Sequence, residues 1–368
     1  MKRSSAASDL RLARVRRKMK VEGIEVLFLR DTSNIAWLTA FDDVFDDERA
    51  HAVVVTADSC VLHTDSRYAS ACRTAAQGSQ VEVDDMRAGH AAWLAQRYPD
   101  APHVAIEDDM PLLEFRALER AWQGSAPSLI ETSGFGVSLR AVKDSYEVER
   151  LMAAQAVTDA AFNHIISFMK PGMTERAVQI ELEDYMTRHG ARGLAFSSIV
   201  ATGANGACPH AIPGSAFLEA GQCVVMDFGA RALGYCSDMT RTVFLGEPSA
   251  QLAHAYEVLR SANEQVEAMI RPGVTGAQAH QLAEDVLAEG GYAGAMGHGL
   301  GHGVGIDIHE RPVLSPRNDK PLEAGNVVTV EPGIYIEGEF GMRLEDFGLV
   351  THDGFRVFTQ STHDLVII

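Results

Sequence analysis

The sequence KPGMTERAVQIELEDYMTRHG at residues 170–190 recurs in altered form as RPGVTGAQAHQLAEDVLAEGG at residues 271–291. The copies are offset by 101 residues and share Pro171/Pro272, Gly172/Gly273, Thr174/Thr275, Glu183/Glu284, Asp184/Asp285 and Gly190/Gly291. Each copy follows one predicted helix and starts a second one. Thr174 and Thr275 stand where that second helix begins, and threonine is a favoured helix N-cap. The repeated order predicts two related α/β halves, against the alternative of two ordinary helical hairpins with a common turn. A ligand site is expected at the seam between such halves.

A domain boundary precedes the repeat, near residue 140. Asp144 followed three residues later by Glu147 is a helix-start signal. We therefore expect an N-terminal α/β domain over residues 1–140 and a second domain over residues 141–368.

The N-terminal domain alternates helix and strand signals. Leu12, Val15 and Met19 stand at helical spacing in a basic segment. They predict a first amphipathic helix rather than a transit peptide or a nucleic-acid-binding arm. The runs HAVVV at 51–55 and CVLHT at 60–64 predict a strand hairpin. No catalytic constellation is found here, so a structural or oligomerising role is expected.

The composition argues against several classes of function. The net charge is −18, which disfavours binding to nucleic acid or to anionic lipid. No apolar run approaches the roughly 20 residues of a membrane span. The five cysteines are widely spaced and form no CxxC motif, which is typical of reduced thiols, so a cytoplasmic protein is expected.

Two aspartates in strand contexts are the first candidate site residues. Asp227 lies in QCVVMDFG and Asp238 in YCSDMTRTVFL, and the two runs predict an antiparallel hairpin. Aspartate is depleted in strands and costly to bury without a partner. A hairpin of this length can bring both carboxylates to one end and one face of the sheet.

The segment GHGLGHGVGIDIHE at residues 297–310 places His298, His302 and His309 among glycines. It lacks the spacing of a dinucleotide-binding loop and the second histidine of a zincin motif. Residues 304–308 predict a strand. We interpret the segment as a glycine loop that brings backbone and imidazoles close to a ligand.

Two glutamates complete the set of acidic residues in apolar contexts. Glu331 ends the strand-like run in NVVTVEPG. Glu345 follows Arg343 by two positions in GMRLEDFGLV, a predicted strand, so both side chains can face the same side. Taken singly, Glu331 is typical of a strand end, and the Arg343–Glu345 pair is typical of a surface.

The acidic residues taken together indicate metal ions. Four buried carboxylates would repel one another and take up protons unless cations neutralised them. Two divalent ions carry the matching charge. The donors are oxygens with few imidazoles and no thiolate, which favours Mn²⁺, with Co²⁺ or Zn²⁺ as substitutes. A two-metal site is suited to the hydrolysis of an amide.

These motifs resemble those of the pita-bread metallopeptidases. DFG and SDMTRT around the two aspartates, HGLGH at 298–302, VEPG at 330–333 and RLED at 343–346 follow the order of that family. NIAWLTAF and TDSRY in the first 140 residues resemble the branch of prolidase, aminopeptidase P and creatinase. The resemblance implies an α/β (α+β) fold. It consists of a pita-bread catalytic domain of two pseudo-symmetric halves, preceded by a smaller creatinase/prolidase-type domain.

The resemblance also implies which residues bind metal. The ligands would be Asp227, Asp238, His302, Glu331 and Glu345, with Glu331 also acting as the proton acceptor. Because no ligand position is replaced, a metal-free creatinase-type reaction is disfavoured.

Further roles carry over to residues around these ligands. His210 would contact the substrate and stabilise the tetrahedral intermediate. His309 would be a second substrate-side histidine, with His298 close to it. Arg343 would fix the ligand loop or bind a substrate carboxylate, a role for which Arg311 is also a candidate, and Thr240 would support Asp238.

The implied activity is hydrolysis of the bond between an N-terminal residue and a following proline. We expect first an Xaa-Pro aminopeptidase that acts on longer peptides. The alternatives are an Xaa-Pro dipeptidase (prolidase), a related hydrolase such as a methionine aminopeptidase or a hydrolase of small amidino compounds, and a non-enzymatic peptide-binding module. The expected partners are proline-containing peptides and a second copy in a homodimer, with neither nucleic acid nor membrane.

Overall fold

The computed structural model describes residues 2–46, 48–122 and 126–368, and the chain divides into two compact units, Met1–Arg140 and Ala141–Ile368. Within the described ranges, every helix is too short or too polar to cross a membrane.

The N-terminal unit contains a six-stranded sheet of order β4-β3-β2-β1-β5-β6. Its strands are β1 (Leu27–Leu29), β2 (Ala52–Val55), β3 (Cys60–His63), β4 (Glu82–Asp84), β5 (His103–Glu107) and β6 (Ser128–Thr132). Its helices are α1 (Lys2–Glu22), α2 (Thr32–Thr39), α3 (Ala69–Ala75), α4 (His90–Arg97), α5 (Leu112–Glu119) and α6 (Phe135–Arg140).

Two predictions for this unit are confirmed. The strands β2 and β3 form an antiparallel hairpin. Leu12, Val15 and Met19 are buried on one face of α1, as an amphipathic helix requires.

The C-terminal unit contains two pairs of helices. They are α7 (Ser145–Phe168) with α8 (Glu175–Arg188), and α9 (Ala250–Met269) with α10 (Gly276–Glu289). Asp144 and Glu147 form the predicted capping box at the start of α7. Thr174 and Thr275 are the N-caps of α8 and α10, as the repeat predicts, and each side-chain oxygen accepts a backbone N–H of the first turn.

Both halves repeat the same backbone contacts as well as the same sequence motif. The Gly172 N–H donates to the Leu218 carbonyl at 2.8 Å, and the Gly273 N–H donates to the Leu322 carbonyl at 2.9 Å. The PGxT turn therefore meets a later extended segment in the same way in each half. This agreement supports two related halves over two unrelated hairpins.

The strands of this unit form separate sheets in the two halves. The first half holds β8-β9-β12 in one sheet and β7-β10-β11 in another, and the second half holds β14-β13-β15-β18-β19 and the pair β16-β17. The bounds are β7 (Gly193–Leu194), β8 (Ile199–Thr202), β9 (Cys223–Phe228), β10 (Ala230–Ala232), β11 (Tyr235–Cys236), β12 (Met239–Phe244), β13 (Gly301–Gly303), β14 (Glu310–Leu314), β15 (Val327–Val330), β16 (Gly333–Ile336), β17 (Phe340–Arg343), β18 (Asp346–Val350) and β19 (Phe355–Val357).

Each half buries its own apolar cluster between helices and sheet. Phe162, Leu182 and Phe228 belong to the cluster of the first half. Tyr256 and Leu287 belong to that of the second. The ends of the strands that carry the acidic residues are thus supported from behind by packed side chains.

Two predicted strands are wrong. Residues 304–308 do not form a strand, because the pairing of β13 shifts register after His302 and the Gly305 N–H turns to the Asp307 carbonyl at 3.0 Å. Glu345 lies between β17 and β18 rather than inside a strand.

Arg241 in β12 joins three segments of the C-terminal unit. Its guanidinium donates to the Glu345 carbonyl at 2.6 Å, to Asp346 Oδ1 at 2.7 Å, and to the Ser361 carbonyl at 2.7 Å. The side chains of Arg241 and Asp346 are each only 1% exposed. Removing Arg241 takes away the guanidinium that compensates this buried carboxylate and leaves Asp346 with His363, whose Nε2 lies 2.6 Å from Oδ2.

We predict that Arg241→Met lowers the free energy of unfolding by about 3–5 kcal/mol. The matched control is Arg260→Met, which removes a surface pair with Glu264 one helical turn away, and its expected cost is below about 1 kcal/mol. Denaturant unfolding followed by circular dichroism measures both. Equal losses in the two variants would contradict the role given to Arg241.

Candidate metal centre

The strands β9 and β12 bring the two aspartates to one end of their sheet. The strands pair antiparallel with Asp227 opposite Thr240, two residues beyond Asp238. Asp227 and Asp238 are 9% and 3% exposed. The hairpin thus places both side chains where the sequence pattern predicts.

The second half supplies a glutamate at the position equivalent to Asp227. QCVVMDFG and NVVTVEPG each follow a glycine with positive φ, 89° at Gly221 and 96° at Gly325. Aligning these two glycines places Asp227 of the first half beside Glu331 of the second. The repeat therefore extends to the candidate ligands.

The remaining candidate ligands come from neighbouring strands of the five-stranded sheet. His302 lies in β13, and Val330 pairs with Asp346, so Glu331 and Glu345 leave adjacent strands side by side. His302 Nε2 lies 3.4 Å from Glu331 Oε1 and 3.5 Å from Asp238 Oδ2. One ligand atom each of Asp238, His302 and Glu345 lie within 4.8 Å of one another.

The protonation of His302 suits a metal ligand. Its Nδ1 lies 3.1 Å from the Gly303 carbonyl, which can only accept, so Nδ1 carries the proton. Burial lowers the pKa of the ring, which is therefore neutral at pH 7. Nε2 then presents a lone pair to two carboxylates, an arrangement that is repulsive unless a cation lies between them.

The carboxylates also fit a cation. Burial raises the pKa of Asp238, Glu331 and Glu345, and neighbouring carboxylates raise the pKa of Asp238 and Glu345 further. Asp227 Oδ1 is buried without a hydrogen-bond partner among the described residues. The donor set, which is rich in carboxylate oxygen and has one imidazole, matches divalent ions.

Arg343 supplies the positive charge that the chain itself brings to this cluster. Its guanidinium donates to Asp227 Oδ2 in a direct ion pair, to Thr240 Oγ1 at 2.9 Å, to the Tyr335 hydroxyl at 2.7 Å and to the Pro209 carbonyl at 3.3 Å. Its side chain is only 4% exposed. Of the two roles expected for Arg343, these contacts favour fixing a ligand over binding a substrate carboxylate.

The expected partner of Thr240 was wrong. The Thr240 hydroxyl donates to Glu345 Oε2 at 2.7 Å, not to Asp238. The Glu345 N–H also donates to the Thr240 carbonyl at 3.1 Å, so this segment of the second half lies directly against β12. This cross-strand contact could not be read from the SDMTRT motif.

Tyr335 is a functional candidate that the sequence analysis missed. Its hydroxyl lies 3.2 Å from His298 Nε2, and His298 Nδ1 lies 2.7 Å from the Gly299 carbonyl. The carbonyl fixes the proton on Nδ1, so Tyr335 donates to Nε2 and accepts from Arg343. The position of Tyr335, two residues after the glycine of VEPG, was the available signal.

The other two histidines are exposed. His210 follows the 3₁₀ turn Gly203–Ala207, and His309 stacks edge-on to His302 with ring centroids 4.4 Å apart. Nine of the residues singled out from the sequence line one cavity of about 540 Å³. They are His210, Asp227, Asp238, His298, His302, His309, Glu331, Arg343 and Glu345.

Two glycines of the histidine segment serve packing between strands. A Cβ on Gly301 would lie 2.2 Å from the Thr329 carbonyl oxygen, and one on Gly303 would lie 2.4 Å from the Arg311 carbonyl oxygen. Gly301 and Gly303 thus allow close packing against neighbouring strands, while Gly299 and the three histidines of the segment line the cavity. This packing seats β13 so that His302 reaches the carboxylates.

Comparison with known proteins covers nearly the whole chain. Residues 149–352 match the metallopeptidase family M24, and residues 11–142 match the creatinase/prolidase N-terminal domain. An Xaa-Pro dipeptidase of Lactobacillus helveticus is 36% identical over 75% of each chain.

Two solved structures share the architecture. An Xaa-Pro dipeptidase from Bacillus anthracis has a TM-score of 0.91 and 34% identity, over 98% of this chain and 100% of its own. An X-Pro aminopeptidase from Thermotoga maritima has a TM-score of 0.86 and 32% identity, over 96% of this chain and 100% of its own. The fold expected from the resemblance is confirmed, and divalent ions are implied at the carboxylate cluster. The chain belongs to the metallopeptidase family M24, with a creatinase/prolidase N-terminal domain ahead of a pita-bread catalytic domain.

Proposed function

We propose that this protein is an Xaa-Pro dipeptidase (prolidase), which hydrolyses the bond between an N-terminal residue and a C-terminal proline. The observation that carries the proposal is the convergence of four carboxylates and the lone pair of His302 on one cavity. Phe196, Ile199 and Ile308 line the same cavity and offer an apolar wall to a pyrrolidine ring. Relatives named Xaa-Pro dipeptidase support this specificity better than the aminopeptidase expected first.

We propose two divalent ions at the cluster, with Mn²⁺ favoured and Co²⁺ or Zn²⁺ as substitutes. The proposed ligands are Asp227, Asp238, His302, Glu331 and Glu345. When bound, such ions supply Lewis acidity and lower the pKa of a coordinated water.

The side chains around the cluster would handle protons and position the substrate. Thr329 donates to Glu331 Oε1 at 3.1 Å, so Oε2 is the oxygen proposed to accept the proton of the attacking water. His210 and His309, exposed in the cavity, are proposed to contact the peptide, with His210 donating to the carbonyl oxygen as it gains charge. The Tyr335 hydroxyl holds His298 in place, and His298 is proposed to orient the substrate in the cavity.

We also propose a cytoplasmic homodimer. The five cysteines are free thiols in the structure, which fits a reducing compartment. The dimer is proposed by analogy with peptidases of this size in the family. Light scattering that gives twice the mass of the chain would support it, and the mass of one chain would exclude it.

We predict that chelation abolishes hydrolysis of Ala-Pro and that added Mn²⁺ restores it. The proposed ions balance the charge of the carboxylate cluster and supply the Lewis acidity that hydrolysis needs. The products of Ala–Pro bond hydrolysis, proline from Ala-Pro and Pro-Ala from Ala-Pro-Ala, are measured before and after each step. Restored cleavage of Ala-Pro with little cleavage of Ala-Pro-Ala fits the proposal. Efficient cleavage of the tripeptide instead would make the protein an aminopeptidase.

We predict that Asp238→Asn and Glu345→Gln each lose bound metal, because each removes a carboxylate from the centre of the cluster. Elemental analysis of the purified variants measures metal per chain. Glu337→Gln is the matched control, since Glu337 is exposed and outside the cavity. His210→Ala is expected to keep its metal while kcat falls about 10²- to 10³-fold, as for loss of an oxyanion donor. Full metal content in Asp238→Asn would refute the assignment.

We predict that Mn²⁺ raises the thermal midpoint more at about pH 7.5 than at about pH 5. The folded-state pKa values of Asp238, Glu331 and Glu345 are raised, so the metal-free folded protein binds more protons than the unfolded chain. Its stability therefore falls as pH rises above the ordinary carboxyl range of ~4. Scanning calorimetry with chelator and with Mn²⁺ at both pH values tests this. Equal increments at the two pH values would contradict the role of the cluster.

A further inference from the structure

Two arginines line the cavity, and they differ in how their guanidinium groups are engaged. Arg343 at the floor makes four hydrogen bonds and its side chain is 4% exposed. Arg176, the second residue of α8, is exposed, and its Nη1 donates to Gln179 Oε1 at 2.8 Å. Among the described residues that line this cavity, Arg176 is the cation that faces solvent.

The start of α8 is fixed to the loop that carries His210. Glu175 is 1% exposed, and its carboxylate accepts from the Thr202 N–H at 2.9 Å and the Gly214 N–H at 3.0 Å. The Arg176 N–H donates to the Gly214 carbonyl at 3.1 Å. The backbone of Arg176 is therefore held by hydrogen bonds to the loop that carries the substrate-side histidine.

Gln179 holds the guanidinium of Arg176 without neutralising it. Gln179 is buried, and its Nε2 donates to Glu183 Oε1 at 2.8 Å. This bond orients the side-chain amide of Gln179 so that its own Oε1 faces Arg176. The bond from Arg176 to Gln179 is thus to a neutral oxygen. The positive charge remains available for an anionic group in the cavity.

The proposed substrate brings such an anion. In an Xaa-Pro dipeptide, the carboxylate is attached to the carbon next to the scissile nitrogen, so it must enter the same cavity as the reacting bond. Moving that carboxylate from water into the cavity is costly unless a cation or hydrogen-bond donors receive it. In a longer peptide this carboxylate is replaced by a neutral amide.

We infer that Arg176 binds the C-terminal carboxylate of the dipeptide and so selects dipeptides over longer peptides. This inference rests on the proposed function. It assigns the selection to an exposed residue at the cavity wall, while Arg343 serves the ligand Asp227.

The test compares the KM of Ala-Pro with the inhibition constant of Ala-Pro-amide, which lacks the negative charge. The amide is measured as a competitive inhibitor of Ala-Pro hydrolysis, so it need not be cleaved. The variants are Arg176→Ala, Arg176→Gln and Arg176→Lys. Arg188→Ala is the matched control, because Arg188 ends the same helix, is exposed, and pairs with Asp184 outside the cavity.

In the wild type, we expect the amide to bind about 10- to 100-fold more weakly than Ala-Pro, the range of a hydrogen bond to a charged group. In Arg176→Ala and Arg176→Gln, the KM of Ala-Pro rises toward the inhibition constant of the amide, with a smaller effect on kcat. Arg176→Lys keeps part of the discrimination, and Arg188→Ala keeps all of it.

If Arg176→Ala and Arg176→Gln retain the wild-type KM for Ala-Pro, the inference is overturned while the dipeptidase activity stands. If the wild type cleaves Ala-Pro-Ala and not Ala-Pro, the proposed function fails, and the inference fails with it. A loss of discrimination in Arg188→Ala equal to that in Arg176→Ala would show a general effect of charge and would also overturn it.

Discussion

The crowding of four carboxylates into one buried cluster is the constraint to which the C-terminal unit is fitted. Burial and mutual repulsion raise the pKa of Asp238 and Glu345. The Arg343 guanidinium pairs with Asp227, and the Thr240 hydroxyl donates to Glu345, so the chain itself compensates part of this negative charge. His302 turns its proton away from the carboxylates and adds a lone pair. Bound cations can balance the negative charge that remains, so the stability of the folded site and its metal content are coupled.

Three arginines act at different depths around this cluster. Arg241 lies behind it and ties the backbone of Glu345 to the C-terminal segment. Arg343 lies at the floor and pairs directly with Asp227. Arg176 stands at the wall, where solvent weakens any attraction to the carboxylates and leaves its charge for a substrate. The same side chain thus serves stability, ligand geometry and recognition according to its burial.

Features set by local sequence could be predicted, and those set by contacts across the fold could not. The caps at Asp144, Thr174 and Thr275 depend on residues within one turn, so the sequence displays them. The candidate ligands stood out because acidic residues are rare in apolar strands. The partner of Thr240 and the hydroxyl network of Tyr335 depend on strands far apart in the chain. The glycines of the histidine segment indicated a close approach, but close approach to a strand and to a ligand require the same residue, so the sequence could not say which glycine serves which contact.

The division of ligands between the two halves has a consequence for how the site could arise. Asp227 and Asp238 belong to the first half, and His302, Glu331 and Glu345 belong to the second. A half-length chain would hold too few donors for a pair of ions and would build the cluster only by facing a copy of itself, with identical donors on both sides. Covalent duplication removes that identity. Equivalent positions such as Asp227 and Glu331 could then diverge, so that each ion has different ligands. A site with two different ends can bind a peptide in one orientation.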